Sequence, residues 1–418
     1  MQGVSITSDI GPLKRVMLHR PGKELLNLIP RRLEDLLFDD IPFLKAAQEE
    51  HDAFSETLRS LGVEVVYLED LMTEVLELHP GLVEPFVYQW LREAGIRTHR
   101  WQDALYEHLR ENYQGKALVE KTMEGITLRE MGTKSVLSLQ DLIASPDDLI
   151  VDPMPNLYFT RDPAAVVGSG LIISRMCFPT RRRETIYTDY IFRHHPDFID
   201  RVHRYYSRDE FARMEGGDVI CLTPDTVAIG ISQRTSPDAI EKAAANLFSS
   251  EESGVKTILA FFIPSTRAFM HLDTVFTQVD HGKYTIHPGI LGPLKVFEIR
   301  RGDGFNPADP EPELSIQELT MPLEEVLKRY TGAEKVRLIP CGGSDPIAAA
   351  REQWNDGSNT LCVSPGVIIV YSRNELSNNL LREEGLTVLE IPSSELSRGR
   401  GGPRCMSMPL NREPFLIN

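Results

Sequence analysis

Asp218-Val219-Ile220-Cys221-Leu222-Thr223-Pro224-Asp225-Thr226-Val227-Ala228-Ile229-Gly230-Ile231 is the stretch that decides the fold. Two apolar runs rich in β-branched residues flank Thr223-Pro224-Asp225, the composition of a hairpin turn. A helical stretch near Pro237–Phe248 and a strand at Lys256–Ile263 follow. The unit is therefore strand, strand, helix, strand.

The same order recurs along the chain. Ala164–Val167 and Leu171–Ser174 flank Gly168-Ser169-Gly170, with helical text from about Arg182. Asp273–Val279 and Lys283–His287 flank Asp280-His281-Gly282, ahead of a helix at Ser315–Tyr330 and a strand at Lys335–Ile339. Leu361–Val363 and Val367–Tyr371 flank Ser364-Pro365-Gly366, ahead of a helix at Glu375–Glu384 and a strand at Leu386–Ile391. The N-terminus supplies a unit lacking its first strand: strand Lys14–His19, a helical stripe of Phe43, Ala47, Phe54, Leu58 and Leu61, and strand Val63–Leu68. A strand at about Met406–Leu410 completes it and closes a ring. The class is α/β.

The text from about Asp70 to Ser145 breaks the pattern. Val83-x3-Val87-x3-Leu91 and Trp101-x3-Leu105-x3-Leu109 are helical spacings without alternating strands. This predicts a helical insertion domain over 71–145, within a catalytic domain of 1–70 and 146–418. Arg301–Leu314, rich in proline and acids, reads as a loop, either a connector or a lid.

The composition narrows the function classes. With 418 residues, 41% of them hydrophobic, the chain can bury a large core. Its formal charge of −16 argues against nucleic acid as a partner, because phosphate binding needs basic surface. No basic n-region with an apolar h-region opens the chain, and no apolar run approaches the roughly 20 residues of a membrane span. Five widely spaced cysteines without a Cys-x-x-Cys pair point to a reducing cytoplasm and to no metal site. No dinucleotide, phosphate-loop or zinc motif is present, so no cofactor is expected.

Candidate chemistry gathers where the hairpins begin. Asp162 ends Phe159-Thr160-Arg161-Asp162, Glu215 and Asp218 bracket Gly216-Gly217, and His271 and Asp273 open the next hairpin. In a cyclic arrangement such ends face one axis. His271 and Asp273, two apart at a strand entrance, point to one face. Gly216-Gly217 lets backbone approach a ligand while Glu215 and Asp218 face it; a plain glycine turn with solvated acids is the alternative. Arg181, Arg234 and Arg373 each follow a hairpin, where arginines at a pocket mouth can hold an anion. Cys405 lies in Arg398-Gly399-Arg400-Gly401-Gly402-Pro403-Arg404-Cys405, a setting of cations and open NH groups that favours thiolate; an inert buried thiol is the alternative. A nucleophilic cysteine, a histidine and paired acids suggest covalent catalysis on a cationic carbon.

In this order, Phe159-Thr160-Arg161-Asp162, Glu215-Gly216-Gly217-Asp218, Met270-His271-Leu272-Asp273 and Arg404-Cys405-Met406-Ser407-Met408-Pro409 resemble the arginine deiminases, of the guanidine-modifying superfamily with the pentein fold. Asp35-Leu36-Leu37-Phe38 and Tyr371-Ser372-Arg373-Asn374-Glu375 extend the likeness over nearly the whole chain. The resemblance implies a five-bladed α/β propeller of ββαβ modules with a helical insert. It implies a hydrolase of C–N bonds in linear amidines that converts L-arginine to L-citrulline and ammonia, the first step of arginine catabolism by the deiminase pathway. Cys405 would form an amidino-cysteine intermediate, His271 would serve as acid and then base, and Glu215 would support it. Asp162 and Asp273 would bind guanidinium nitrogens. Arg181, Arg234 and Arg400 would hold the substrate carboxylate, with Asn156, Phe159 and Asp218 also binding substrate. Arg404 would stand beside the thiol or point to solvent. A homodimer or larger homo-oligomer is the family's habit.

Acids around an empty pocket would raise the thiol pKa, and a bound cation would lower it, so the nucleophile is expected to be substrate-assisted. Rival readings are an agmatine deiminase, a dimethylarginine hydrolase or an amidinotransferase, a catalytically dead arginine-binding protein, and a scaffold.

Overall fold

The computed structural model describes residues 2–132, 145, 147–292, 294–309 and 311–415. The expected boundary between insert and catalytic domain, at 145/146, abuts residue 146, which lies outside the described residues, as do residues 133–144 of the expected insert.

The structure is mixed α/β with several sheets, and one three-strand pattern repeats five times. Leu13–Leu18 pairs antiparallel with Met408–Arg412 and parallel with Glu64–Tyr67. Gly170–Ile173 pairs antiparallel with Ala164–Val167 and parallel with His203–Tyr206. Thr226–Ile231 does the same with Val219–Thr223 and Thr257–Phe262. Lys283–Ile286 does so with Phe276–Asp280 and Arg337–Pro340, and Val367–Tyr371 with Leu361–Ser364 and Thr387–Ile391. A hairpin makes the antiparallel pair, whereas the parallel return needs a crossover, which brings in a helix. Gly168, Gly282 and Gly366 occupy hairpin turns at φ +57°, +72° and +77°, a region costly for other residues.

The crossover helix Pro237–Ser249 shows why these segments form. Pro237 starts it, and Ile240, Ala243, Ala244, Leu247 and Phe248 lie buried on one face. In the first unit Leu44–Ser60 buries Ala47, Phe54 and Leu58. Each fully buried Phe or Leu contributes about 1.5–3 kcal/mol. Phe43 and Leu61, counted in that stripe from sequence, are 64% and 43% exposed, because they lie just beyond the helix ends.

One expectation is corrected. The helix assigned to Ser315–Tyr330 is a strand, Leu314–Leu319, followed by a shorter helix, Leu323–Thr331. The strand pairs with Lys295–Arg301, which extends the third sheet to five strands. Its residues are mostly exposed, so burial periodicity left no signal there. Pro322 caps the true helix start. The acidic loop links the two strands of this added hairpin.

Helices Leu68–Leu78, Val83–Glu93, His99–Asn112 and Lys116–Glu124 occupy the text that breaks the repeat. Phe86, Trp90, Leu91, Leu105 and Leu109 share one apolar cluster with Tyr187 and Tyr190 of helix Glu184–His194. Their core is thus continuous with that of the second unit.

Candidate active site

Residues leading into the first strand of each unit converge on one buried region. Cys405 precedes Met408–Arg412, Asp162 precedes Ala164–Val167, and Glu215 precedes Val219–Thr223. His271 and Asp273 precede Phe276–Asp280. A small cavity is lined by Asn156, Phe159, Asp162, Arg181, Arg234, Met270, His271, Thr274, Gly399, Arg400, Leu37 and Cys405.

The loop that carries Cys405 is held from several sides. Arg161 N donates to Cys405 O at 3.1 Å. Cys405 N donates to Asn359 Oδ1 at 3.0 Å, and Cys405 Sγ lies 3.7 Å from Asp273 Oδ2. Cys405 is only 3% exposed, so the loop is not the open thiolate setting that its glycines and arginines suggest. Burial, then Asp273, Asp162 and Asp356, push its thiol well above the usual range, against the opposing pull of Arg404. Gly401 is required because a Cβ there would fall 2.3 Å from the Phe159 ring.

His271 enters a 3-10 turn, Leu272–Thr274, not a strand. The turn sends its ring toward Glu215 and Asp162 while Asp273 points to Arg404 and Cys405, so the two do not share a strand face. The His271 Nε2–Glu215 Oε2 distance is 2.8 Å, and Nδ1 lies 3.7 Å from Asp162 Oδ1. Burial alone would lower the imidazole pKa. Asp162, the Glu215 hydrogen bond and Asp218 outweigh it and raise the pKa to about 9. Glu215 is likewise opposed by burial, but Arg234 and His271 bring it down to about 2.

Gly216-Gly217 admits protein groups at close range. A Cβ on Gly217 would come within 2.8 Å of His271 Cγ and Nδ1, and one on Gly216 within 2.2 Å of Arg161 O. Asp218 does not face the cavity. Ser232 Oγ and Thr235 Oγ1 donate to its Oδ2 at 2.7 and 2.6 Å, and Leu272 N donates to Oδ1 at 2.8 Å. These bonds fasten the third hairpin to the turn that carries His271.

Arg181, Arg234, Arg400 and Arg404 are buried rather than set at an open mouth, whereas Arg373 is exposed, donates to Ser397 Oγ and does not line the cavity. Arg181 Nη1 donates to Asp162 Oδ2 at 2.7 Å, while its Nε and Nη2 donate to Glu184. Arg234 Nη1 lies 3.3 Å from Glu215 Oε2 and stacks over Phe178. Arg400 adopts φ +64° and places its guanidinium carbon 3.4 Å from the centre of the Trp354 ring. Arg404 turns inward, away from solvent, with Nη1 2.8 Å from Asp273 Oδ2 and Nη2 2.7 Å from Asp9 Oδ2.

Asp162, Glu215 and His271 each present a ligand atom within 4.8 Å of one another, a spacing a cation could bridge. Arg181 and Arg234 already place positive charge on two of the three, which disfavours a divalent ion there.

Comparison with known proteins places this arrangement. The family model for arginine deiminase matches residues 34–412. The arginine deiminase of Treponema denticola is 54% identical over 413 residues, covering 99% of both chains. That of Clostridium perfringens is 50% identical over 416 residues, covering 99% of this chain and 98% of the relative. The chain belongs to the arginine deiminase family.

At the level of fold, the N-terminal domain of a cyanobacterial arginine dihydrolase, solved with substrate bound, superposes with a TM-score of 0.52 at 14% identity, covering 96% of this chain and 99% of that one. The Pseudomonas aeruginosa dimethylarginine dimethylaminohydrolase complexed with citrulline gives 0.50 at 16% identity, covering 95% and 98%. These share the pentein fold with the arginine deiminase family member described above.

Sequence reasoning missed Asn359, Asp356, Asp9 and Trp354. Asp356 is buried beside Arg400, and burial raises its pKa to about 7. Asn359 had a signal: it precedes Leu361–Ser364 as Asp162 and Asp273 precede their own first strands.

Proposed function

We propose that this arginine deiminase family member hydrolyses L-arginine to L-citrulline and ammonia through an amidino-cysteine at Cys405. One observation carries the reading. Asp162 Oδ1 and Asp273 Oδ1 are both buried without a hydrogen-bond donor, on the two carboxylates beside His271 and Cys405. A buried acceptor left without a donor costs about 1–3 kcal/mol. A guanidinium offers planar, charged N–H donors to both at once.

The chemistry follows from those positions. The bound cation lowers the thiol pKa, the thiol proton passes to solvent, and the Cys405 thiolate attacks the guanidinium carbon. His271, protonated at neutral pH, gives its proton to the departing nitrogen; the C–N bond breaks and ammonia leaves. Water then attacks the amidino carbon as His271 takes its proton. The C–S bond breaks, thiolate leaves, and the remaining hydroxyl proton passes to ammonia or solvent. Glu215 keeps the imidazolium charged and oriented. Arg181, Arg234 and Arg400 surround the cavity with positive charge suited to an α-carboxylate, beside Asn156 and Phe159. This charge favours arginine over agmatine, which has no carboxylate.

The five repeated sheets support a five-bladed propeller around the cavity, with the helices of 71–145 as an inserted domain. Five free cysteines suit the cytoplasm. No helix among the described residues is long and apolar enough to cross a membrane.

The test is citrulline formation from L-arginine, with agmatine in parallel and Cys405→Ala as control. Turnover of arginine alone, abolished by the substitution, is the expected result. Preference for agmatine would overturn the arginine assignments, and no turnover by folded protein would overturn the reading itself.

A further inference from the structure

Asn359 is fully buried, 46 residues before Cys405 and 86 after Asp273, and its amide joins the two. Its Oδ1 accepts from Cys405 N at 3.0 Å, and its Nδ2 donates to Asp273 O at 3.0 Å. The same small group thus fastens the nucleophile's backbone to that of a guanidinium-binding carboxylate. The contact is tightened by Gly402, where a Cβ would fall 2.7 Å from Asn359 O and 2.8 Å from Oδ1.

Asn359 itself is anchored. Its N–H donates to Asp356 O at 2.9 Å. The preceding helix, Pro346–Trp354, is capped by Asp345, whose carboxylate accepts from Ile347 N and Ala348 N. Asn359 also completes the pattern of the site. Four units place Cys405, Asp162, Glu215 and Asp273 ahead of their first strands, and the fifth places Asn359 there.

We propose that Asn359 is a positioning residue of the deiminase reaction, holding Cys405 and Asp273 in register so that thiol and carboxylate converge on one substrate carbon. The proposal rests on the deiminase reading. Only a side chain with an acceptor and a donor on one short planar group satisfies both backbones. Leucine, of similar size, offers neither. An ionised carboxylate accepts at one end and repels the Asp273 carbonyl at the other, whereas a protonated carboxyl restores an acceptor and a donor.

The experiment compares wild type, Asn359→Leu and Asn359→Asp for L-arginine turnover across pH, with thermal unfolding measured at each pH. Wild-type turnover tests the deiminase reading separately: failure there leaves no deiminase and removes both claims, whereas the variants judge Asn359 alone. In Asn359→Leu, kcat is expected to fall about 10²-fold, the scale of a misplaced reacting group. KM should stay within about three-fold, since binding groups are retained. In Asn359→Asp, kcat relative to wild type should recover at acid pH and fall as the introduced carboxyl ionises. A kcat within about two-fold of wild type in Asn359→Leu, on the same scale, overturns the proposal. So does a kcat ratio for Asn359→Asp that does not vary with pH. Loss of fold in both variants at every pH assigns Asn359 to the scaffold and also overturns it.

Discussion

Arg404 lies directly against Asp273 in a fully buried pair, Nη1 to Oδ2 at 2.8 Å, and its other amino group holds Asp9 at 2.7 Å. The residue next to Cys405 is therefore the cation between two buried acids, one of which faces the thiol. Burial works against that charge, but Asp9 and Asp273 more than offset it and drive the guanidinium pKa up.

Arg404→Met should therefore destabilise the fold strongly. It strands Asp9 and Asp273 together in the interior, and breaking a buried pair by removing one partner costs about 3–5 kcal/mol. Equilibrium urea unfolding measures it. A loss below about 1 kcal/mol, the range of a surface pair, would show that water or rearrangement replaces the guanidinium.

Cys405 should be a thiol in the free enzyme at neutral pH. Burial and three nearby carboxyls all disfavour its charge. The thiolate absorbance difference between wild type and Cys405→Ser should be absent at neutral pH and grow only in strongly alkaline solution. Iodoacetamide should alkylate Cys405 slowly without ligand. A thiolate signal near neutrality in the free enzyme would refute the substrate-assisted mechanism.

How much of this was legible in the sequence depends on the range of each interaction. The hairpins announce themselves because turn residues and flanking strands are local, so Asp162, Glu215 and His271 could be placed by their distance from a turn. The pairing of Met408–Arg412 with Leu13–Leu18 followed from one missing strand in a repeat. Arg404 was not legible, because its direction is set by Asp9, 395 residues away in the chain. The strand Leu314–Leu319 was hidden because an exposed edge carries little apolar alternation. Asp218 was ambiguous in the sequence because a carboxylate beside glycines looks the same whether it serves a ligand or a hydrogen-bonded hinge.

Asp218→Asn tests that last distinction. Its two oxygens accept from Ser232, Thr235 and Leu272, and replacing one oxygen by NH₂ sets donor against donor. Stability should fall by about 1–3 kcal/mol, the cost of a buried polar group left unsatisfied. KM for arginine should change far less than with Asp162→Asn. A large KM effect at unchanged stability would instead return Asp218 to the substrate.

Gly217→Ala should inactivate without unfolding. Its Cβ would meet the His271 ring at 2.8 Å and Asp162 Oδ1 at 3.0 Å, so the imidazole must shift. Displacement of a reacting group by about 1 Å costs about 10²-fold in rate. Steady-state kinetics with a thermal melt separates this from a folding defect, and near-normal kcat would mean that the ring has room to move.

The His271–Glu215 pair should make stability pH-dependent on the alkaline side. The folded imidazole pKa, about 9, exceeds the ordinary value of 6.5, so the folded state binds this proton more tightly than the unfolded chain. Its stabilisation is complete below about pH 6.5 and is lost as pH rises through about 9. Activity that needs the imidazolium to protonate the departing nitrogen should decline through the same upper limit. Denaturant unfolding from neutral pH to about pH 10 should show wild type losing stability that His271→Gln does not lose across the same interval. Parallel slopes for the two proteins would mean that His271 is already neutral at neutral pH, and the acid that releases ammonia would then have to be sought elsewhere in the cavity.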